Sequence, residues 1–165
     1  MALIKHRQLV DDHWQVAQTT SPPADKAAVC VPWTVFVEHH ANWLDWHGEV
    51  GVRVPGDIEP AELAPYVDRL ALINIEFPKF TDGRGYSLAR LLRTRYGFLG
   101  ELRASGDILR DQLLYLTRCG FDAFELKADK DAAGALEAFE ELPIRYQQAG
   151  DGHVPPWKSR KNNDS

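Results

Sequence analysis

The chain is poor in the residues that announce a chemistry. It has two cysteines, Cys30 and Cys119, far apart and in no CxxC arrangement. That argues against an iron–sulfur cluster, a structural zinc site or a disulfide framework, and it fits a reducing compartment. No apolar run approaches the ~18 residues that a membrane span needs. The opening MALIKHRQLVDDHW lacks the apolar stretch of a secretory signal. The expectation is a cytoplasmic protein without a membrane partner. Positive charge is also short. The net charge of −5 argues against nucleic-acid binding by bulk attraction. Nucleotide fingerprints are missing, because GRGYSL carries Leu88 where a third glycine should stand and no GK[ST] follows.

Metal-ligating spacing is equally scarce. Three of the six histidines fall in EHHANWLDWH, with Glu38, His39, His40, Asp45 and His47, but no HExxH-like motif is formed. No metal and no cofactor are evident, and Trp33, Trp43 and Trp46 read as core or interface rather than a cofactor box. Cys119, late in an amphipathic segment, reads as a small buried hydrophobe.

What is present is a globular composition, with 44% hydrophobic and 26% charged residues over 165 positions. That suits one domain with a sizeable core. Residues 1–20 look like an arm with a short β-hairpin, and TTSPPADK is a loop by composition. AVCVPWTVFV then reads as a β-rich run broken by Pro32, followed by EHHANWLDWHG as a short helix or turn. EVGVRV is a second strand. IEPAELAPYVDRL is a helix with Pro60 in its first turn, where the missing N–H does no harm, and with Pro65 marking a kink or a later start. LALINIEF, GFLGELR and FDAFEL are three more strands. YSLARLLRTRY and ASGDILRDQLLYLTRCG are the helices between them, the second closed by Gly120, and DKDAAGALEAFEEL is a further helix. In YSLARLLRTRY the leucines take one face, and Arg90 and Arg93 are expected on the opposite, solvated one, where a partner could dock. LPIRYQ could form one more short strand.

Strands alternating with helices imply βαβ units. The predicted fold is α/β: a five- or six-stranded, mostly parallel sheet, open or a partial barrel, with an N-terminal hairpin arm. One domain would span residues 1–149, with a disordered tail at 150–165. A closed eight-stranded barrel needs ~250 residues. A partial barrel leaves edges for the arm, or a second subunit of a homo-oligomer, to cover.

Ligands gather beyond the carboxyl ends of parallel strands. Seven arginines and no lysine lie between Arg84 and Arg118, so that end is expected to face something anionic. The expected binding residues are Asp82, Gly83, Arg84, Gly85, Tyr86, Ser87, Arg103, Gly106 and Asp107, with glycines for close backbone approach and arginine forks for an oxyanion. The plainer reading of the same loop is a capped turn with Arg84 paired to a nearby carboxylate. Glu76 and Glu125 are the candidate acid–base residues. Against that, Glu76, Glu101 and Glu125 read as an ionic layer with Lys79, Arg84 and Arg103, since no histidine or cysteine is positioned beside them.

FPKFTDGRGYSLARLLR and GELRASGDILRDQLLYLTRCGFDAFEL resemble the central motif of the bacterial family called domain of unknown function 934. The matching segment covers about a third of the chain and includes Glu76, residues 82–87, Arg90, Arg103, Gly106, Asp107, Asp111 and Gln112. The resemblance implies a role in assimilatory sulfite reduction, with the sulfite reductase haemoprotein or another sulfate-assimilation enzyme as partner. It also brings the label of oxidoreductase, which the chain supports with no cysteine motif, haem attachment site or nucleotide fingerprint. Two functions follow as expectations. One is an accessory or anion-binding protein acting with sulfite reductase. The alternative is a small enzyme, including a flavin- or nicotinamide-dependent oxidoreductase, acting on an anionic metabolite with Glu76 or Glu125 as base and Arg84 and Arg103 as clamps.

Overall fold

A computed structural model describes residues 2–78, 83–127 and 132–140. The strands are β1 (Ala2–Lys5), β2 (Gln8–Val10), β3 (Gln15–Val16), β4 (Ala28–Pro32), β5 (Glu49–Pro55), β6 (Leu72–Phe77), β7 (Glu101–Gly106) and β8 (Ala123–Leu126). The helices are α1 (Trp33–Leu44), α2 (Pro60–Leu63), α3 (Arg84–Thr94), α4 (Leu113–Cys119) and α5 (Ala132–Glu140). They confirm the alternation that the sequence predicts. Leu142 to Gln147, read as a short strand, and the tail from residue 150 lie outside the described residues.

The sheet has eight strands in the order β2-β1-β8-β7-β6-β5-β4-β3. This corrects the expected five or six mostly parallel strands. From β3 to β8 every pairing is parallel, whereas β1 pairs antiparallel with both β8 and β2. The arm is therefore built into the sheet at both of its ends. From β4 to β8 spatial order follows chain order, so right-handed crossovers place the intervening helices on one face.

The two ends of the arm fix the curvature. A flat sheet with seven interstrand gaps is ~34 Å across. Five residue steps from Val10 to Gln15 reach at most ~18 Å. The edges must therefore curl toward each other, and the sheet is a half-barrel with the segment at residues 11–14 crossing its open side.

Strand alternation then sorts the side chains. Val29, Val31, Val52, Val54, Ile73, Ile75, Leu102, Ala104 and Phe124 face the helices and form the apolar core with Leu88, Leu92 and Leu116. The opposite, concave face carries the polar positions, among them Lys5, Arg53, Asn74, Glu76, Glu101, Arg103, Ser105 and Glu125. Asn74 and Arg103 are register partners, as are Glu76 and Ser105.

Two further boundaries differ from expectation. Ala104–Gly106, read as the start of a helix, extend β7, and α4 begins only at Leu113, because Gly106 at φ +94° ends the strand against Phe77 and the chain must turn before a helix can start. The β-rich run after Ala27 ends at Pro32, and Trp33 to Val37 are helical. Pro32 has φ −55° and opens the helix, while burial of Phe36 and Trp43 against the core overrides the strand preference of Val35 and Val37.

Candidate functional site

At the carboxyl end of the sheet, the loops after β6 and β7 share one frame. Gly85 lies where an added Cβ would stand 2.4 Å from the Phe77 ring, so its lack of a side chain lets α3 settle onto β6. Gly106 has φ +94°, and a Cβ there would meet the Phe77 carbonyl oxygen at 2.3 Å. The Asp107 N–H donates to that same oxygen at 2.7 Å. The Phe77 ring packs on Tyr86 with centroids 5.4 Å apart. Gln112 donates through Nε2 to the Tyr86 hydroxyl at 2.7 Å, and its Oε1 accepts from the Leu109 N–H at 2.8 Å. The start of α3 and the turn after β7 therefore meet around Phe77.

The start of α3 faces an open hollow of about 210 Å³, lined in part by Gly56, Asp57, Glu59, Arg84 and Ser87. Gly83 meets nothing within 4 Å of an added Cβ. Arg84 is two-thirds exposed, and its Nη1 lies 3.7 Å from Asp57 Oδ2. An exposed pair of that length contributes little, so an incoming oxyanion competes with Asp57 at small cost. Asp82 and Lys79 lie outside the described residues.

Arg103 is not part of this hollow. It projects from the middle of β7 into the concave face and is 2% exposed. Its Nε and Nη2 donate to Glu101 Oε2 at 3.2 and 2.8 Å. Nη1 and Nη2 donate to Asp12 Oδ2 and Oδ1 at 2.9 and 3.2 Å, and Glu125 stands 3.5 Å from Nη1. Burial works against the charge. The hydrogen bond and charge of Asp12, with those of Glu101, outweigh it and hold the guanidinium pKa above its ordinary value. Lys5 closes on the other Glu101 oxygen at 2.7 Å. Ser105 donates to Asn74 at 2.6 Å, and Asn74 Nδ2 lies 3.4 Å from Glu125. Nearer the rim, Arg53 pairs with Glu76 at 2.9 Å. The expected ionic layer therefore exists on the concave face, although Arg84 pairs with Asp57 and takes no part in it.

Arg93 also departs from expectation. Instead of lying on a solvated face it is 1% exposed, with Nε donating to Gly120 O and Nη1 to Phe98 O and Gly100 O, each at 2.9 Å. Asp122 lies 3.5 Å from Nη2. Arg93 thus ties the end of α3 to the turns before β7 and β8 and cannot meet a partner. Arg90, on the same helix, is exposed.

Sequence reasoning missed Asp12, Lys5, Asn74 and Ser105. The strand period held the signal for Asn74 and Ser105, which share the face of Glu76 and Arg103. Asp12 could not be placed without knowing that the arm crosses the sheet. Cys30 faces the same concavity through its register with Gly51. Burial pushes its thiol up to about 12 despite the pull of Arg103 and Arg53, so it is a poor nucleophile near neutrality.

Among the described residues, no three His, Cys, Asp or Glu side chains are grouped to hold a metal ion, and no helix is long and apolar enough to cross a membrane. A family model described as a bacterial protein of unknown function, DUF934, matches residues 51–157, more than half of the chain. No curated protein and no solved structure matches.

Proposed function

The chain belongs to the bacterial DUF934 family, and we propose that it is an accessory protein of assimilatory sulfite reduction that binds an oxyanion and acts with sulfite reductase. The observation that carries the binding part is the start of α3. There the exposed Arg84 and Ser87 border an open hollow, and the first N–H groups of an 11-residue helix add their dipole. The sulfite part comes from the family resemblance carried by residues 76–126. Arg90, exposed on the same helix, is where a partner docks.

The alternative, a small enzyme using Glu76 or Glu125 as base, draws support from Glu76. That side chain is 45% exposed near the carboxyl end of β6, within reach of a substrate, and Arg53 orients it. Arg84 and Arg103 would not act together as clamps in it, since they lie on different faces of the sheet.

Calorimetric titration with sulfite, sulfate and phosphate tests the binding part. We expect saturable binding that Arg84→Ala weakens at least tenfold. Equal binding by wild type and variant removes the site. Co-purification with sulfite reductase, and a change in its turnover on addition of this protein, test the accessory role. The absence of both defeats it.

A further inference from the structure

The chain segment at residues 11–14 spans the open side of the half-barrel and places one carboxylate inside it. We propose that the concave face carries a binding site for a small, singly charged carboxylate at Arg103, and that Asp12 fills this site as a built-in competitor.

The geometry of the pair is that of a ligand on its receptor. Both Asp12 oxygens are used end-on, at 2.9 and 3.2 Å from the two terminal guanidinium nitrogens, a bidentate fork by which arginine also receives an external carboxylate. The arginine is 2% exposed while the Asp12 side chain is 36% exposed. The buried partner is therefore fixed and the outer one is replaceable. Arg103 also needs no help from Asp12 to hold its orientation. Glu101 grips Nε and Nη2, and Lys5 secures Glu101 in turn.

The strap is weakly attached on both sides. β2 is three residues long and β3 two, and every side chain in them is exposed. Leu9 and Val16 are 51% and 55% exposed, so neither contributes much apolar burial to keep the strap closed. The turn into β2 adds strain, because His6 and Arg7 have φ of 54° and 63° without being glycines.

Charge defines the ligand. With Asp12 withdrawn, Arg103 and Lys5 face Glu101 and Glu125, two charges of each sign, and the nearby Arg53–Glu76 pair is neutral by itself. A monoanion restores the charge that Asp12 supplies. A dianion adds one more negative charge to a buried cluster that already holds two carboxylates, so carboxylates are preferred over sulfate. The α3 hollow, built on an exposed arginine and a helix start, has no such restriction. The two sites are therefore separable by ligand as well as by mutation.

The test uses the full chain, with acetate as probe and ionic strength held constant with chloride. Asp12→Ala should melt below wild type. Acetate should raise its Tm in a saturable way, at a half-saturating concentration at least tenfold lower than any acetate effect on wild type. Sulfate should not substitute, Arg103→Lys added to Asp12→Ala should abolish the response, and Arg84→Ala should leave it intact. In wild type, saturating acetate should speed hydrogen exchange at residues 8–16 as the strap lifts. A folded Asp12→Ala protein that responds to acetate no more than to chloride overturns the site and leaves Asp12 a structural clasp. Unchanged strap exchange in wild type overturns the competition. If Asp12→Ala does not fold in chloride, recovery of folding in acetate supports the proposal, and failure to recover overturns it.

Discussion

Arg84, Arg90 and Arg93 sit on one helix, yet their surroundings give them different work. Arg84 and Arg90 are exposed, so replacing either should move stability by no more than about 0.5 kcal/mol. Arg93 is buried over the Phe98 ring at 5.4 Å and satisfies three backbone carbonyls at once. Burial lowers its pKa, with Asp122 pulling the other way. The same burial raises the pKa of Asp122 against the attraction of Arg93 and the hydrogen bond from the Leu102 N–H. Removing the guanidinium leaves those carbonyls without partners and Asp122 without its counter-charge. Arg93→Met should therefore cost about 3 kcal/mol or more in urea unfolding. Arg93→Lys should recover little of it, because an ammonium cannot reproduce the planar fork that spans three acceptors. A cost below about 1 kcal/mol would show that water replaces those bonds.

At the scale of elements, the hairpin β1–β2 has a two-residue loop, with Lys5 paired to Gln8 and both His6 and Arg7 in the left-handed region. Such a loop is a type I′ turn, which asparagine and glycine adopt with less strain. The double change His6→Asn, Arg7→Gly should raise stability by roughly 1 kcal/mol, read as an upward shift of Tm. It should also slow hydrogen exchange in β2, since the strap is then anchored more firmly. No shift would mean that the native turn carries no strain worth relieving. Elements of this kind bound what the sequence could tell. The order β6–α3–β7–α4–β8 was legible because apolar periodicity switches between two and 3.6, and Gly120 marked its helix end as expected, with φ 115°, but the switch after β7 was placed too early, since Ala104–Gly106 are strand. Trp33–Val37 was not, because burial of Phe36 on a helix face outweighs the strand preference of Val35 and Val37, neither of which is itself buried. Arg93 was misread because a helical wheel shows which face is apolar and not whether a neighbouring turn folds over its rim.

For the molecule as a whole, the arm was the least legible part. Its strands are two to four residues long, too short for alternation to speak, and their partners lie at opposite ends of the sheet. The candidate site divides the same way. Residues 83–87, at the start of α3, and 106–107 lie at the carboxyl end of the sheet, where chain order put them, but Arg103 belongs to a concave face that only the curl reveals. That curl makes the arm a structural member rather than an appendage. Leu3 and Ile4 are 6% and 0% exposed, and removing them forfeits roughly 2 kcal/mol each. Loss of Lys5 and Asp12 strips counter-charges from Glu101 and Arg103, which costs several kcal/mol more for groups left buried. Against the ~5–15 kcal/mol typical of a domain, that sum is decisive. Deleting residues 1–17 should therefore abolish the cooperative urea transition followed by circular dichroism and expose apolar surface to a hydrophobic dye, with the edges of β8 and β4 open to aggregation. A deletion protein that unfolds cooperatively at the wild-type midpoint would mean that the half-barrel from β4 to β8 stands alone, and that the strap across it is an ornament of the fold.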